Sequence, residues 1–343
     1  MSETVSPLRP AVSTLRRPRV GFLGVGWIGR LRMEAALATG VIDPVAIADP
    51  SAEQLAAALE LAPGAAAAAT LDDLLALDLD GLVIATPSAL HAAQAIAALE
   101  RGVAVFCQKP LGRTAAEAAA VVEAARRADR LLAVDLSYRF TEGMRQIRRL
   151  IADGALGKVF AADLVFHNAY GPDKPWFYDR GLSGGGCVMD LGVHLVDLAL
   201  WVLDFPEVRK VESALYAAGA PLPPDSAAVE DYAVATLETA DGATLRLACS
   251  WRLHAGQEAD ISATFYGDAG GARLRNVDGS FYEFMAERFT GTRRETLTTP
   301  SDDWGGRAAA DWAERLAAGE RFDPAGARLV DLARILDRIN GQP

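Results

Sequence analysis

The chain has 343 residues, 51% of them hydrophobic, and a formal net charge of −11. That length can bury two cores of ordinary size. The acidic balance argues against nucleic acid, which needs a basic footprint, and no arginine cluster here is joined to an aromatic platform. Three cysteines, Cys107, Cys187 and Cys249, are far apart in sequence. They show neither the paired spacing of a zinc site nor the even count of a disulfide framework, so the expectation is no metal and reduced thiols in a cytoplasmic setting.

Residues 1–18 hold Pro7, Arg9, Pro10, Arg16 and Arg17 but no apolar run long enough for a signal-peptide core or a membrane span. They are read as a mobile leader, with no membrane partner expected. Arg19 to Leu23 then reads as a short buried strand running into Gly24-Val25-Gly26-Trp27-Ile28-Gly29. In this context each glycine has a task. The first permits a tight turn, the second lets backbone approach a pyrophosphate, and the third lets the following helix pack on the strand. A second strand, Pro44 to Ala48, ends in Asp49, twenty positions after the last glycine. A carboxylate there can bond ribose hydroxyls and repel a 2′-phosphate, which points to NAD rather than NADP. Asp49 could also cap the helix that begins at Pro50-Ser51-Ala52, a role compatible with ribose binding. Arg30 falls inside a helix and is given no role. The run Gly64 to Ala69 reads as composition bias.

Further strand signals follow at Leu79 to Thr86, Val103 to Cys107 and Leu131 to Asp135, with helices near Leu71 to Leu77, from Pro87 through His91, and from Thr114 to Ala128. Alternating strands and helices imply a parallel, doubly wound sheet whose ligands lie beyond the carboxyl ends of its strands. The glycine turn, Asp49, Thr86-Pro87 and Gln108-Lys109-Pro110 all fall at such ends. Lys109 is one of only four lysines in the chain. On position alone it is a surface lysine at a strand end; an ammonium can give up a proton in acid/base work, which a guanidinium cannot.

After Phe140 the texture changes. An amphipathic helix over Glu142 to Asp153 precedes strands at Lys158 to Asn168 and Val208 to Ala218. Hairpins follow around Asp241-Gly242 and Gly270-Gly271, and helices over Gly306 to Ala318 and Pro324 to Ile339 close the chain. The fold class is therefore α/β: a Rossmann domain over 19–140, then an α+β domain over 141–343 with an open, mostly antiparallel sheet, whose last helix can return to the first domain. Few helices are available to cover that sheet, which leaves one face for a partner subunit in a homodimer or homotetramer.

Within the second domain, Gly184 to Leu203 has helical apolar periodicity. Asp190 and His194 stand four apart on it, so both point to one face of a regular helix. A histidine beside a carboxylate can take a proton from an alcohol near neutral pH, with the aspartate orienting the ring. His91 reads as helix-start structure, and His167 and His254 sit in predicted strands.

From about Arg19 onward the chain resembles the glucose-fructose oxidoreductase, inositol dehydrogenase and MocA family. The resemblance rests on Gly24 to Gly29, Ala85-Thr86-Pro87 with His91, Lys109-Pro110, Gly154 to Val159, and Asp190-Leu191-Gly192-Val193-His194. One departure stands out. The family's usual Glu-Lys-Pro is Gln108-Lys109-Pro110 here, an amide that offers hydrogen bonds but no charge.

The resemblance implies hydride transfer between NAD and a small sugar or cyclitol. The cofactor would meet Gly24, Gly26, Trp27, Ile28, Gly29, Asp49, Thr86, Pro87, His91, Gln108 and Lys109. His194 would take the hydroxyl proton, Asp190 would orient the imidazole and bond a neighbouring hydroxyl, and Lys109 would hold the reacting oxygen. Tyr138, Arg139, Asn168 and Tyr170 would supply substrate partners. Trp176 is either an aromatic wall or a loop anchor. Two other readings share the scaffold: a silent sugar sensor that binds dinucleotide, and a glycosidase that uses NAD transiently.

Overall fold

The computed structural model describes residues 16–223 and 226–342. Most of the leader read from the sequence lies outside them. Its last residues are tied to the first domain, since Arg16 pairs with Asp80 at 3.0 Å and Arg17 with Asp43 at 3.9 Å.

The first domain alternates β1 (Arg19–Leu23), α1 (Trp27–Ala38), β2 (Asp43–Ala48), α2 (Ala52–Leu61), β3 (Ala66–Ala68), α3 (Leu71–Leu75), β4 (Gly81–Ile84), α4 (Ser88–Glu100), β5 (Ala104–Cys107), α5 (Ala115–Ala128) and β6 (Leu132–Val134). Its six strands are parallel in the order β3-β2-β1-β4-β5-β6. Strands β4 and β5 are buried throughout, because helices cover both faces of such a sheet and leave no position for a polar side chain. The alanine run assigned to composition bias forms the short edge strand β3, which pairs with β2. Three alanines at an edge need little packing, so they carry no hydrophobic pattern to read.

The second domain contains α6 (Glu142–Ala152), β7 (Val159–Asn168), α7 (Arg180–Ser183), a π turn (Val188–Gly192), α8 (Val193–Val202), and strands β8 (Val208–Ala217), β9 (Ala220–Pro221), β10 (Tyr232–Thr239), β11 (Thr244–Ser250), β12 (Ala259–Gly267), β13 (Gly271–Asn276), β14 (Phe284–Thr290) and β15 (Arg293–Thr298). The nine strands run β15-β14-β13-β12-β7-β11-β10-β8-β9, and β7 with β11 is the one parallel pair among them. One face packs on α6 and α8 around Leu164, Phe166, Leu245 and Leu247. The other face carries Phe160, Val234 and Tyr266, each more than a third exposed. The apolar run Arg180–Val202 is long enough to span a membrane, yet 89% of its most apolar window is buried inside the protein.

Two closing helices, α9 (Arg307–Ala317) and α10 (Ala327–Ile339), cross the domain boundary. Trp312 of α9 is fully buried in the first domain's core, its ring 5.9 Å from that of Phe106. Helix α10 places Val330 against the first core and Leu332, Ile335 and Leu336 in the second. The domains are thereby fastened together, α9 packing beside α1 and α10 beside α5.

Candidate active site

The turn after β1 is built as its glycines require. Gly24 has φ +81°, and a Cβ there would stand 2.6 Å from the Ala85 carbonyl oxygen. At Gly29 a Cβ would lie 2.2 Å from the Gly24 oxygen, so α1 could not approach β1 with any side chain present. Gly26 is the opposite case, with nothing within 4 Å. No side chain caps α1 and no acid occupies its first turn, so its terminal amides meet open space suited to an anionic pyrophosphate.

Asp49 ends β2 facing this turn. Its Oδ2 accepts from the Val25 amide at 2.7 Å and its Oδ1 from the Ser51 amide at 2.8 Å. Helix α2 is capped instead by Ser51, whose Oγ accepts from the Gln54 amide. Asp49 thus holds two loops together and keeps lone pairs for ribose hydroxyls. Arg30, given no role from sequence, lines the same space and donates to Gln54 Oε1 at 3.2 Å.

The end of β4 is held by a clamp. Thr86 Oγ1 donates to Gln94 at 2.6 Å, and Pro87 precedes the first turn of α4. His91 places one ring nitrogen 2.7 Å from the Pro110 carbonyl and the other 2.7 Å from the Thr86 carbonyl. Two acceptors favour the protonated ring, but burial is the larger influence and holds its pKa below the ordinary value. His91 is a strut between two strand-end loops, and its side chain is almost wholly buried.

Lys109 follows β5 and stands where two cavities meet. The first, about 930 Å³, runs from Gly26, Arg30 and Asp49 past Thr86 to Trp176, Phe177 and Asp190. The second, about 950 Å³, is lined by Arg32, Asp135, Tyr138, His194, Tyr282 and Trp304, among others. Trp27, Ile28, Gln108 and Lys109 border both. Each has the volume of an ordinary small-molecule site.

Asp190 and His194 flank the lysine from the second domain, but not as the helical spacing predicts. Asp190 lies in the π turn, whose wider pitch changes the angular step between side chains. The turn is pinned by buried Glu230, which accepts from the Gly186 and Val188 amides. Asp190 Oδ1 accepts from Lys109 Nζ at 2.7 Å and its Oδ2 from Trp251 Nε1 at 3.0 Å. Both oxygens are thus engaged, and among the described residues no hydrogen bond joins Asp190 to His194. The expectation that Asp190 orients the imidazole is corrected: it orients Lys109. His194 is positioned by packing, its ring 4.8 Å from that of Tyr138 and 6.4 Å from that of Phe166. Burial, then the Lys109 ammonium and the Arg32 guanidinium, hold its pKa well below the ordinary value. Burial also raises the Tyr138 phenol, which stays protonated near neutral pH.

The remaining substrate candidates divide. Trp176 borders the first cavity, stacked on Phe177 with ring centroids 3.8 Å apart, and so serves as wall and loop anchor together. Arg139 is a correction. Its Nε donates to buried Asp197 at 2.8 Å and its guanidinium lies over Trp201 and Phe205, which commits it to the second domain's interior. Asn168 and Tyr170 border neither cavity, and Tyr170 is 55% exposed with its hydroxyl toward Glu258. Arg32, Asp135, Trp251, Tyr282 and Trp304 were not among the site residues expected from the sequence. Only Asp135, at a strand end, carried a signal that could have found it.

The chain matches two family models: an oxidoreductase family with an NAD-binding Rossmann fold over residues 18–136, and the GFO/IDH/MocA C-terminal domain over residues 144–273. It is 28% identical over 295 residues to D-glucoside 3-dehydrogenase of Escherichia coli (strain K12), covering 82% of this chain and 81% of that one. Among solved structures it is similar to GenD2 from gentamicin A biosynthesis in complex with NAD, with a TM-score of 0.79, 25% identity, and coverage of 98% and 97% of the two chains. It also shares its fold with levoglucosan dehydrogenase in complex with NADH and levoglucosan, with a TM-score of 0.81, 22% identity, and coverage of 94% and 96%. A glycine turn open to an anion, a lysine at the junction of two cavities and these matches over both domains lead to one conclusion: the chain belongs to the glucose-fructose oxidoreductase, inositol dehydrogenase and MocA family of NAD(P)-binding oxidoreductases.

Proposed function

We propose that the protein is an NAD-dependent dehydrogenase or reductase acting at a hydroxyl or keto carbon of a sugar, sugar derivative or cyclitol. The observation that carries this reading is the state of Lys109. Two of its three hydrogens are used on Asp190, at 2.7 Å to Oδ1 and 2.7 Å to the main-chain oxygen. One is left for a substrate oxygen at the mouth of both cavities.

The amides following Gly26, together with Trp27, Ile28, Asp49, Thr86, Pro87 and Gln108, would hold the dinucleotide. When bound, the cofactor supplies the hydride acceptor or donor. The chain's own residues handle the proton and the charge. In the oxidative direction His194, kept neutral by burial, accepts the hydroxyl proton at a ring nitrogen. Lys109 Nζ holds the same oxygen and stabilises its developing charge, while Asp190 keeps Lys109 in place. In the reductive direction the proton returns from His194. Trp176, Phe177, Tyr282 and Trp304 offer apolar faces for the C–H surfaces of a polyol.

Preference for NAD over NADP is supported by the Asp49 carboxylate at the end of β2, which disfavours a 2′-phosphate. Arg30 is tied to Gln54 and does not offset it as a free clamp. A homodimer or homotetramer is supported by the open sheet face bearing Phe160, Val234 and Tyr266. A cytoplasmic setting is in keeping with three buried free thiols.

The test is a screen of sugars, inositols and their glycosides with NAD and with NADP, reading NADH absorbance and released aglycone together. Net NADH from a free sugar or cyclitol is the expected result. Aglycone release without net NADH would move the assignment to a glycosidase. NADH binding without turnover of any substrate would move it to a sensor.

A further inference from the structure

Behind Lys109, three side chains from three elements form a buried group that the proton and charge handling leaves unused. Asp135, at the end of β6, is 1% exposed, and Arg32, from α1, is 6% exposed. Arg32 Nε and Gln108 Nε2 both donate to the same oxygen, Asp135 Oδ2, each at 2.6 Å. The other oxygen, Oδ1, is buried without a hydrogen-bond partner. All three residues border the cavity that contains His194.

A carboxylate only accepts hydrogen bonds, so the Gln108 nitrogen must be the atom that faces Asp135. The amide is planar, and its Oε1 is therefore turned away from Asp135. Among the described residues no donor reaches that oxygen. A glutamate at position 108 would instead set two carboxylates against each other at a buried position, at an electrostatic cost an amide does not incur. Gln108 and Asp135 thus fit as a matched pair, with Arg32 neutralising the charge that the pair retains.

We propose that Asp135 is a positioning residue that, held by Arg32, fixes the turn of the Gln108 amide so that its carbonyl accepts a hydrogen bond from the ligand beside Lys109. The donor is either an N–H of the nicotinamide carboxamide or an O–H of the sugar. The inference rests on the dinucleotide-dependent reading above, and NADH binding and turnover by the unmodified protein test that reading separately.

The experiment compares Gln108→Met, Asp135→Asn and the double variant Gln108→Glu/Asp135→Asn. It measures NADH affinity by fluorescence, KM and kcat for the sugar, and melting temperature. Gln108→Met removes the acceptor and leaves the Arg32–Asp135 pair intact. Asp135→Asn lets the amide turn over. In the double variant a carboxylate at 108 accepts from the new asparagine and again presents an oxygen to the cavity. Each single change is expected to weaken ligand binding roughly tenfold, the scale of one hydrogen bond, and the double variant to recover most of it. A loss in NADH affinity identifies the carboxamide as donor; a rise in sugar KM at unchanged NADH affinity identifies the hydroxyl. Unchanged affinity and KM in Gln108→Met would overturn the proposal, whether or not Asp135→Asn folds. So would an Asp135→Asn loss that the second substitution leaves unrepaired, which is the outcome of a purely structural ion pair.

Discussion

Lys109 Nζ lies 2.7 Å from Oδ1 of Asp190, a contact between the loop after β5 in one domain and a π turn in the other. Residues 81 positions apart are thereby joined across the domain boundary. With 19% and 16% of their side chains exposed, the two remain reachable from the cavities. Trp251 Nε1 donates to the second oxygen, and among the described residues no hydrogen bond joins the aspartate to the imidazole.

Lys109→Ala is expected to lower kcat by roughly a hundredfold or more with the fold kept, in line with acid/base and charge-stabilising contributions. Lys109→Arg recovers little, because a planar guanidinium does not reproduce a compact ammonium. Asp190→Asn leaves an acceptor for the lysine and costs less, about tenfold. Steady-state kinetics on the best substrate check all three. A Lys109→Ala variant at near the unmodified rate would show that the reacting oxygen lies elsewhere.

His194→Ala is likewise expected to cost roughly a hundredfold in the oxidative direction. The pH profile gives an independent reading. A general base must be neutral, and a pKa held down by burial keeps the ring neutral to lower pH. The acid limb of kcat/KM for oxidation should therefore lie below the ordinary imidazole value, with activity flat from neutral pH down to about 6.5. A limb at or above that value assigns the proton to another group.

Arg139 separates stability from catalysis. Asp197 is almost fully buried and Arg139 is its charged partner, so Arg139→Ala leaves an uncompensated carboxyl in the core. Burial already raises the pKa of Asp197 while Arg139 lowers it. A loss of about 3 kcal/mol in unfolding free energy is expected, with kcat at permissive temperature near that of the unmodified protein. A large fall in kcat without loss of stability would restore Arg139 to the substrate site.

Titration calorimetry should find NAD(H) bound more tightly than NADP(H), and Asp49→Ser should narrow or reverse the gap by removing repulsion of a 2′-phosphate. Since Asp49 also accepts from the Val25 amide, serine is chosen to keep an acceptor there. Equal affinities in the unmodified protein would remove the basis for the preference.

Light scattering at micromolar concentration is expected to report a dimer or tetramer. Val234→Lys and Tyr266→Asp, on two strands of the exposed face, should shift the protein toward monomer without unfolding it. A monomeric unmodified protein would leave the open face unexplained.

By itself the sequence determined whatever depends on local spacing. The six-residue glycine turn, the acid after the second strand, the parallel sheet and most element positions follow from backbone sterics and hydrophobic period, which act over a few residues. It also brought Lys109, Asp190 and His194 forward, since strand ends and helix spacing mark where side chains gather. The tertiary structure alone decided how those side chains pair. A π turn, pinned by Glu230 from the loop before β10, gave Asp190 to Lys109 and left His194 to aromatic packing. Asp197 drew Arg139 into the core, and Arg32, Asp135 and Gln108 met over as many as 103 positions of chain. Such partnerships depend on which buried charges and donors come within 3 Å when the two cores close. No local pattern encodes that, because the cost of burying an unpaired polar group is settled only once the whole fold is packed.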